Sequence, residues 1–438
     1  MKYSFRSIIV SGAVLAAATG AAYADEPALE ARVQALEALV QELKAELEAE
    51  KAEKAAAPPV EQLPIAQTAP APAPVAQTDG FMVGDTHFKV GGFIDVDAHV
   101  TSLSDGSIGS SSIARDFYIP GATPIGGDDT TTTDITAQAS RFFVEAARSV
   151  NGQKVTGRLE MDFLGSLQGD ERVTNSFSPR LRLAYVDTGA IRIGQDWSTF
   201  QNTSAIPESA SFLTLSDGMI FIRQPLVRYT AGNFQIALEN PDATITTAAG
   251  ARIEADSNNL PDIVARYNWK GEFGNVSFAA LGRELRYETA GVDETTAAFG
   301  ASASGQIKVG AKDDVRFNVV GGEGVGRYVG LNTINGAALN PVTGELEAIP
   351  VYGGYIAWRH PFGDTARFNI GYSGLFADNP DFLASSVTKS VQSAYGAILW
   401  DVAKQTTMGV ELLFGQREDE AGNSGDLTRF TFSTKMGF

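Results

Sequence analysis

From residue 87 onward the chain alternates apolar and polar residues with a period of two. In HFKVGGFIDVDAHV, residues Phe88, Val90, Ile94, Val96, Ala98 and Val100 take one face, while Lys89, Asp95, Asp97 and His99 take the other. The segment LTRFTFSTKMGF repeats the pattern: Phe430, Phe432, Met436 and Phe438 alternate with Arg429, Thr431, Ser433 and Lys435. One wet face and one apolar face define an amphipathic strand. The pattern recurs near 87–101, 137–148, 153–164, 180–188, 190–198, 219–230, 233–240, 261–270, 274–285, 296–309, 314–325, 350–360, 364–376, 389–401, 405–417 and 428–438, which makes sixteen strands. Many are ten residues or longer, against about five to six for ordinary globular strands and about 9–11 for a transmembrane strand.

The connections alternate in length. Those at 102–136, 165–179, 199–218, 241–260, 326–349 and 377–388 are long. Those at Ser149–Gly152, Thr188-Gly189, Ala231-Gly232, Gly271–Phe273 and Val402–Lys404 are short, and Asn151-Gly152 is a hairpin signal. A β-sandwich has no reason to segregate its long loops. An outer-membrane barrel has short periplasmic turns, long external loops and an even strand count, and in lipid its sheet must close. The expected fold is therefore all-β: a 16-stranded antiparallel transmembrane β-barrel. Tyr185, Tyr229, Tyr267, Trp269, Trp358, Trp400 and Phe438 fall near the short turns and are expected to form an interfacial aromatic girdle.

The segment ahead of the barrel divides into three. Lys2 and Arg6, the apolar run Ile8 to Ala18, and Ala22-Tyr23-Ala24 read as a signal peptide over 1–24. Within 25–54, residues Leu29, Val33, Leu36, Val40, Leu43 and Leu47 are spaced 4, 3, 4, 3, 4. That spacing is the seam of an α-helical coiled coil, expected in the periplasm, although it does not distinguish a dimer from a trimer. Residues 55–79 are rich in Ala, Pro and Gln and read as an extended linker, leaving 80–438 as the barrel.

Composition removes several functions. The chain has no Cys and three His, so disulfide scaffolds, thiolate metal sites, cysteine nucleophiles and His-rich metal sites are excluded. Its net charge of −18 argues against nucleic acid as a partner. No G-x-S-x-G or H-E-x-x-H motif occurs, and no catalytic constellation, metal or cofactor site is expected.

After Gly80 there are twenty Arg and eight Lys. Arg141, Arg158, Arg180, Arg182, Arg192, Arg228 and Arg266 all fall on the predicted lumen face. The first six come from neighbouring strands and so share one wall. A guanidinium presents a planar fork matched to carboxylate and phosphate, and arginine-lined pores select anions. Glu160 and Asp162, with Asp95, Asp97 and Glu145, share that lumen and would temper the field. The loop from Thr199 to Asp217, which contains Pro207, Glu208 and Phe212, is expected to fold inward and narrow the pore. The sequence alone leaves three functions open. They are a diffusion porin favouring small anionic solutes, a general porin without that preference, and a structural protein linking outer membrane to cell wall.

The segments Gly194-Gln195-Asp196-Trp197-Ser198-Thr199-Phe200, Arg223-Gln224-Pro225 with Val227-Arg228-Tyr229, and Leu260-Pro261-Asp262 with Ala265-Arg266-Tyr267 resemble the DcaP-like porins. The resemblance runs over nearly the whole chain. It implies a homotrimeric outer-membrane porin with a periplasmic coiled coil, set in outer-membrane lipid, that takes up small anionic compounds such as dicarboxylates. The terminal Phe438 is then the expected handle for the outer-membrane assembly machinery. The chain departs from the pattern at Asp196 and Leu226, where relatives often carry an uncharged polar residue. Asp196 would point into the lumen and repel anions.

Overall fold

The structure, a computed structural model, describes residues 80–165, 169–170, 174–289 and 291–438. The expected signal peptide, coiled coil and linker lie outside the described residues.

Sixteen antiparallel strands form one closed sheet. In chain order they are β1 (Thr86–Leu103), β2 (Thr130–Thr136 and Arg141–Val150), β3 (Gln153–Asp162), β4 (Arg180–Asp187), β5 (Ile191–Trp197), β6 (Arg223–Ala231), β7 (Phe234–Glu239) and β8 (Asp262–Gly271). The second half comprises β9 (Gly274–Thr289), β10 (Val292–Val309), β11 (Asp313–Glu323), β12 (Pro350–Phe362), β13 (Ala366–Ala377), β14 (Thr388–Ala403), β15 (Thr406–Asp419) and β16 (Ser424–Gly437). Each pairs with its sequence neighbour, and β1 pairs with β16 from Phe93↔Gly437 to Leu103↔Leu427. The amides of Gly92 and Phe438 each donate to the other's carbonyl at 3.1 Å and seal the seam. No edge is left open, as lipid requires.

The period-two reading of both seam strands holds. Val90, Ile94, Val96, Phe430 and Met436 are exposed on the outer face, and Asp95, Asp97, His99, Arg429 and Thr431 are buried inside. At the short turn after β2, Asn151 and Gly152 have φ of 51° and 79°, the left-handed pair that a type I′ hairpin needs.

The structure differs from the sequence reading in three places. First, β2 begins at Thr130 and is interrupted at 137–140. Its outer half, TTTTDIT, carries too few apolar residues to register as a strand. At the interruption the Ser140 hydroxyl bridges both the Asp95 amide (3.1 Å) and the Asp95 carbonyl (3.2 Å), replacing lost ladder bonds. Second, β9 and β10 continue to Thr289 and from Val292, with an Arg286–Asp293 pair at 2.8 Å where a loop was expected. Third, Tyr185 is not part of the outer girdle. A register shift between Glu160 and Met161 sets Tyr185 opposite Arg158 on the inner face. One extra residue in a strand inverts the parity of all that follows. Tyr229, Tyr267, Trp269, Trp358 and Phe438 are exposed on the outside as expected.

Three loops fold inward. Residues 104–129, 198–222 and 324–349 supply many of the buried apolar side chains, among them Phe117, Tyr118, Phe200, Leu215, Met219, Val325 and Tyr328. Short strands at Ala243–Thr246, Arg252–Ala255, Ala337–Leu339 and Leu346–Ala348 form a small four-stranded sheet at the long-loop end.

Candidate functional site: an arginine wall beside an inward loop

Strand parity brings the predicted wall together. On β3, Arg158, Glu160 and Asp162 point inward; on β4 the bulge leaves both Arg180 and Arg182 inward. Arg180 grips Asp162 through two parallel bonds, Nε–Oδ1 at 2.9 Å and Nη2–Oδ2 at 3.0 Å. Arg182 spans both acids, with Nε 3.0 Å from Glu160 and Nη1 2.6 Å from Asp162. Arg158 lies 2.8 Å from Glu160 and 3.5 Å from Glu145, and its guanidinium stacks 3.8 Å from the centre of the Phe143 ring. Arg141 stands further off, 3.6 Å from Glu160, and its Nε has no partner.

A second group lies toward the short turns. Arg192 pairs with Asp187 at 2.6 Å and with Asp196 at 2.7 Å, and stacks over Tyr185 at 4.0 Å. Arg228 pairs with Asp196 at 2.9 Å and donates from Nε to the Thr199 hydroxyl at 2.8 Å. Asp196 therefore spends its charge on two arginines. Among the described residues Arg266 forms no ion pair with a carboxylate. It donates to Gln235 at 3.0 Å and to the Gln201 carbonyl. Asp187, Arg192, Asp196, Arg228 and Arg266 line a cavity of about 400 Å³ beside Gly189 and Ala190.

The loop after β5 does enter the barrel. At its start the Thr199 amide donates to Glu239 at 2.7 Å. Further on, Tyr355 and Arg316 donate to the carbonyls of Ala205 (2.9 Å) and Ile206 (2.7 Å). Glu208 is gripped by Arg359 at 3.1 Å and Arg367 at 2.7 Å. The Ala210 amide and Ser211 hydroxyl then bond Glu411 at 3.0 and 2.7 Å. Asp217 accepts from Tyr118 at 2.8 Å and from Ser393. Buried without an ion pair, the Asp217 carboxyl is pushed up to about 6, although bonds from Ser393 and Tyr118 oppose the shift. The loop thus leaves the arginine side, crosses to β11–β15 and is fixed there. Its Phe212 ring remains 5.8 Å from the Arg182 guanidinium.

Of the residues singled out in sequence, Arg141, Arg158, Arg180, Arg182, Glu160 and Asp162 form one cluster and Arg192, Arg228 and Arg266 a second. Glu208 lies apart, against the opposite wall. Sequence reasoning passed over Glu239, whose inward parity was available, and Asp187, which faces inward only because of the bulge that also turns Tyr185. It also passed over Glu411, whose loop partner is 201 residues away.

A profile of the DcaP outer membrane protein family matches residues 72–438. No curated protein sequence matches the chain. The crystal structure of the outer membrane channel DcaP of Acinetobacter baumannii superposes with a TM-score of 0.67 at 21% identity, covering 82% of this chain and 100% of that one. The anion-selective porin from Comamonas acidovorans gives 0.51 at 13% identity, covering 81% and 100%. At these identities the superpositions establish a shared barrel fold, and the profile match establishes kinship. The chain belongs to the DcaP outer membrane protein family.

Proposed function

We propose that the chain is a passive diffusion porin for small hydrophilic solutes that favours anions, dicarboxylates among them, by a modest margin. The observation that carries this reading is a surplus of guanidinium in each cluster. Among the described residues Arg141, Arg158, Arg180 and Arg182 share Glu145, Glu160 and Asp162. Among the described residues Arg192 and Arg228 pair with Asp187 and Asp196, and Arg266 pairs with neither. Arginines held in place by carboxylates, yet outnumbering them, present a rigid wall of small net positive charge. Such a wall raises the local concentration of anions. The pinned loop opposite keeps solutes close to it. The anion-selective description of the Comamonas fold neighbour agrees with this reading.

In the same proposal residues 1–24 are removed on export. The Val/Leu seam within 25–54 associates three copies in the periplasm, and 55–79 spaces it from the barrel. Phe438, exposed on the outer face, is offered to the outer-membrane assembly machinery.

Reversal potential across a low-salt KCl gradient in planar bilayers tests the reading. Chloride should permeate more readily than potassium, and the ratio should approach unity at 1 M, where screening shortens to about 3 Å. A cation preference at low salt would leave a general porin whose arginines only balance its lumen acids.

A further inference from the structure

The long-loop end of the barrel contains a separate cavity of about 430 Å³, remote from the arginine wall. Loops 104–129, 240–261, 324–349 and 378–387 and the outer end of β15 enclose it. Two arginines line it, Arg252 and Arg417, and none of its lining residues is acidic. This is unexpected at the end of the molecule where the loops carry most of their acid, such as Asp128, Asp129, Glu418 and Glu420.

Both guanidiniums are aimed by neutral groups. Arg252, on the small loop sheet, donates from Nε to the Asn335 side chain at 2.7 Å and from Nη2 to the Asn332 carbonyl. Asn335 is itself oriented by its bond to Thr246 at 2.8 Å. Arg417 donates from Nε to the Thr388 hydroxyl at 2.8 Å and from Nη1 to the Thr123 carbonyl at 3.2 Å. Neither arginine forms an ion pair among the described residues. Asp419, two positions beyond Arg417, turns both oxygens to Asn423 at 2.8 and 3.0 Å instead. Each fork therefore retains N–H groups, and the nearby carboxylates of Glu254 and Asp419 offset its charge without bonding to it.

We infer that this cavity is an external capture site for small dianionic organic solutes, one acid group on each of Arg252 and Arg417, ahead of the arginine wall. The inference rests on the anion-favouring reading above. Two fixed cations on a cavity with no acidic lining residue are matched by an occupant carrying two negative ends. A guanidinium fork binds a carboxylate through paired bonds where an ammonium offers a single point of charge. The volume lies within the range that ligand pockets occupy.

The test is block of chloride current in planar bilayers by succinate added at low salt to the side bearing the long loops. In the wild type, the half-blocking concentration should be lower from that side than from the other. R252Q/R417Q should raise it about tenfold, since charge-assisted bonds are lost at both ends. The shift for acetate should be smaller, because one charge uses one fork. R252K/R417K should recover part of the loss, and heat-modifiable migration should confirm that every variant is folded. A folded R252Q/R417Q channel with an unchanged half-blocking concentration overturns the inference. The chloride-to-potassium reversal potential of the wild type reports separately on the wall. A porin that prefers chloride yet fails the succinate test removes the capture site alone, whereas a porin without that preference removes the reading beneath it.

Discussion

Arg182 and Asp162 meet at 2.6 Å with side chains 1% and 0% exposed, and they join β4 to β3 inside the lumen. Arg182 also holds Glu160, so a single side chain satisfies two buried acids. Removing one partner of a buried pair costs roughly 3–5 kcal/mol because the other is left uncompensated. Arg180 and Arg158 stay in place, so R182A should fall near the lower figure, about 3 kcal/mol. R180A, at a more exposed position, should cost less. Urea midpoints of the folded, unheated band report both, and equal midpoints for R182A and wild type would dismiss the pair as a structural element.

Glu208 fastens the inward loop to the far wall through Arg359 and Arg367. E208A removes the acid that the two arginines share and leaves Arg359 with Asp314 and Arg367 with Asp401. The loop tip should loosen, and single-channel conductance and current noise should both rise. Deleting Ile206 to Phe212 should raise conductance further. Conductance equal to wild type in the deletion would mean that the loop does not set the constriction.

Asp217 makes stability depend on pH in a definite direction. Its folded value of about 6 lies above the usual aspartate value of about 3.9. The folded state therefore binds the proton more tightly. The stability it contributes is complete below about pH 4 and is lost as pH rises through about 6, by at most about 3 kcal/mol. Relative to D217N, the wild-type unfolding temperature should fall between pH 4 and 6.5. Parallel curves for the two proteins would contradict the assignment.

Gly218 and Gly354 touch backbone to backbone. A Cβ on Gly218 would lie 2.2 Å from the Gly354 nitrogen, and neither chain has a side chain that can yield. G218A should push the loop off β12 at a cost of about 1–3 kcal/mol, typical of overpacking. Greater protease sensitivity of the unheated channel, with the barrel band retained, is the expected readout.

Strand count, closure and the face of nearly every strand were legible because a two-residue period in an amphipathic wall leaves little choice of register. Tyr185 escaped because a bulge depends on the fit between two strands, and no feature of the β4 sequence announces it. The arginine wall was legible as a set of inward residues. Its ion pairing was not, because the contacts between Arg182 and Asp162 and between Arg228 and Asp196 depend on cross-strand register. Arg252 and Arg417 were illegible as a pair. Their meeting depends on how a loop strand and the end of β15 come to face one cavity, a relation between segments far apart in the chain.

The seam between β1 and β16 has a kinetic consequence. Every other pairing in the barrel joins strands that follow one another in the chain, so each can form as a local hairpin. The contact between His99 and Thr431 spans 332 residues. Bringing such distant segments together carries the largest loop-closure entropy in the molecule and rewards it last. Until that step the sheet presents two unpaired edges, each a template for a wrong partner. Most of the chain's exposure to misassembly is therefore concentrated in one late event, whose outcome rests on eleven residue pairs between Phe93 and Leu103 on one side and Leu427 and Gly437 on the other.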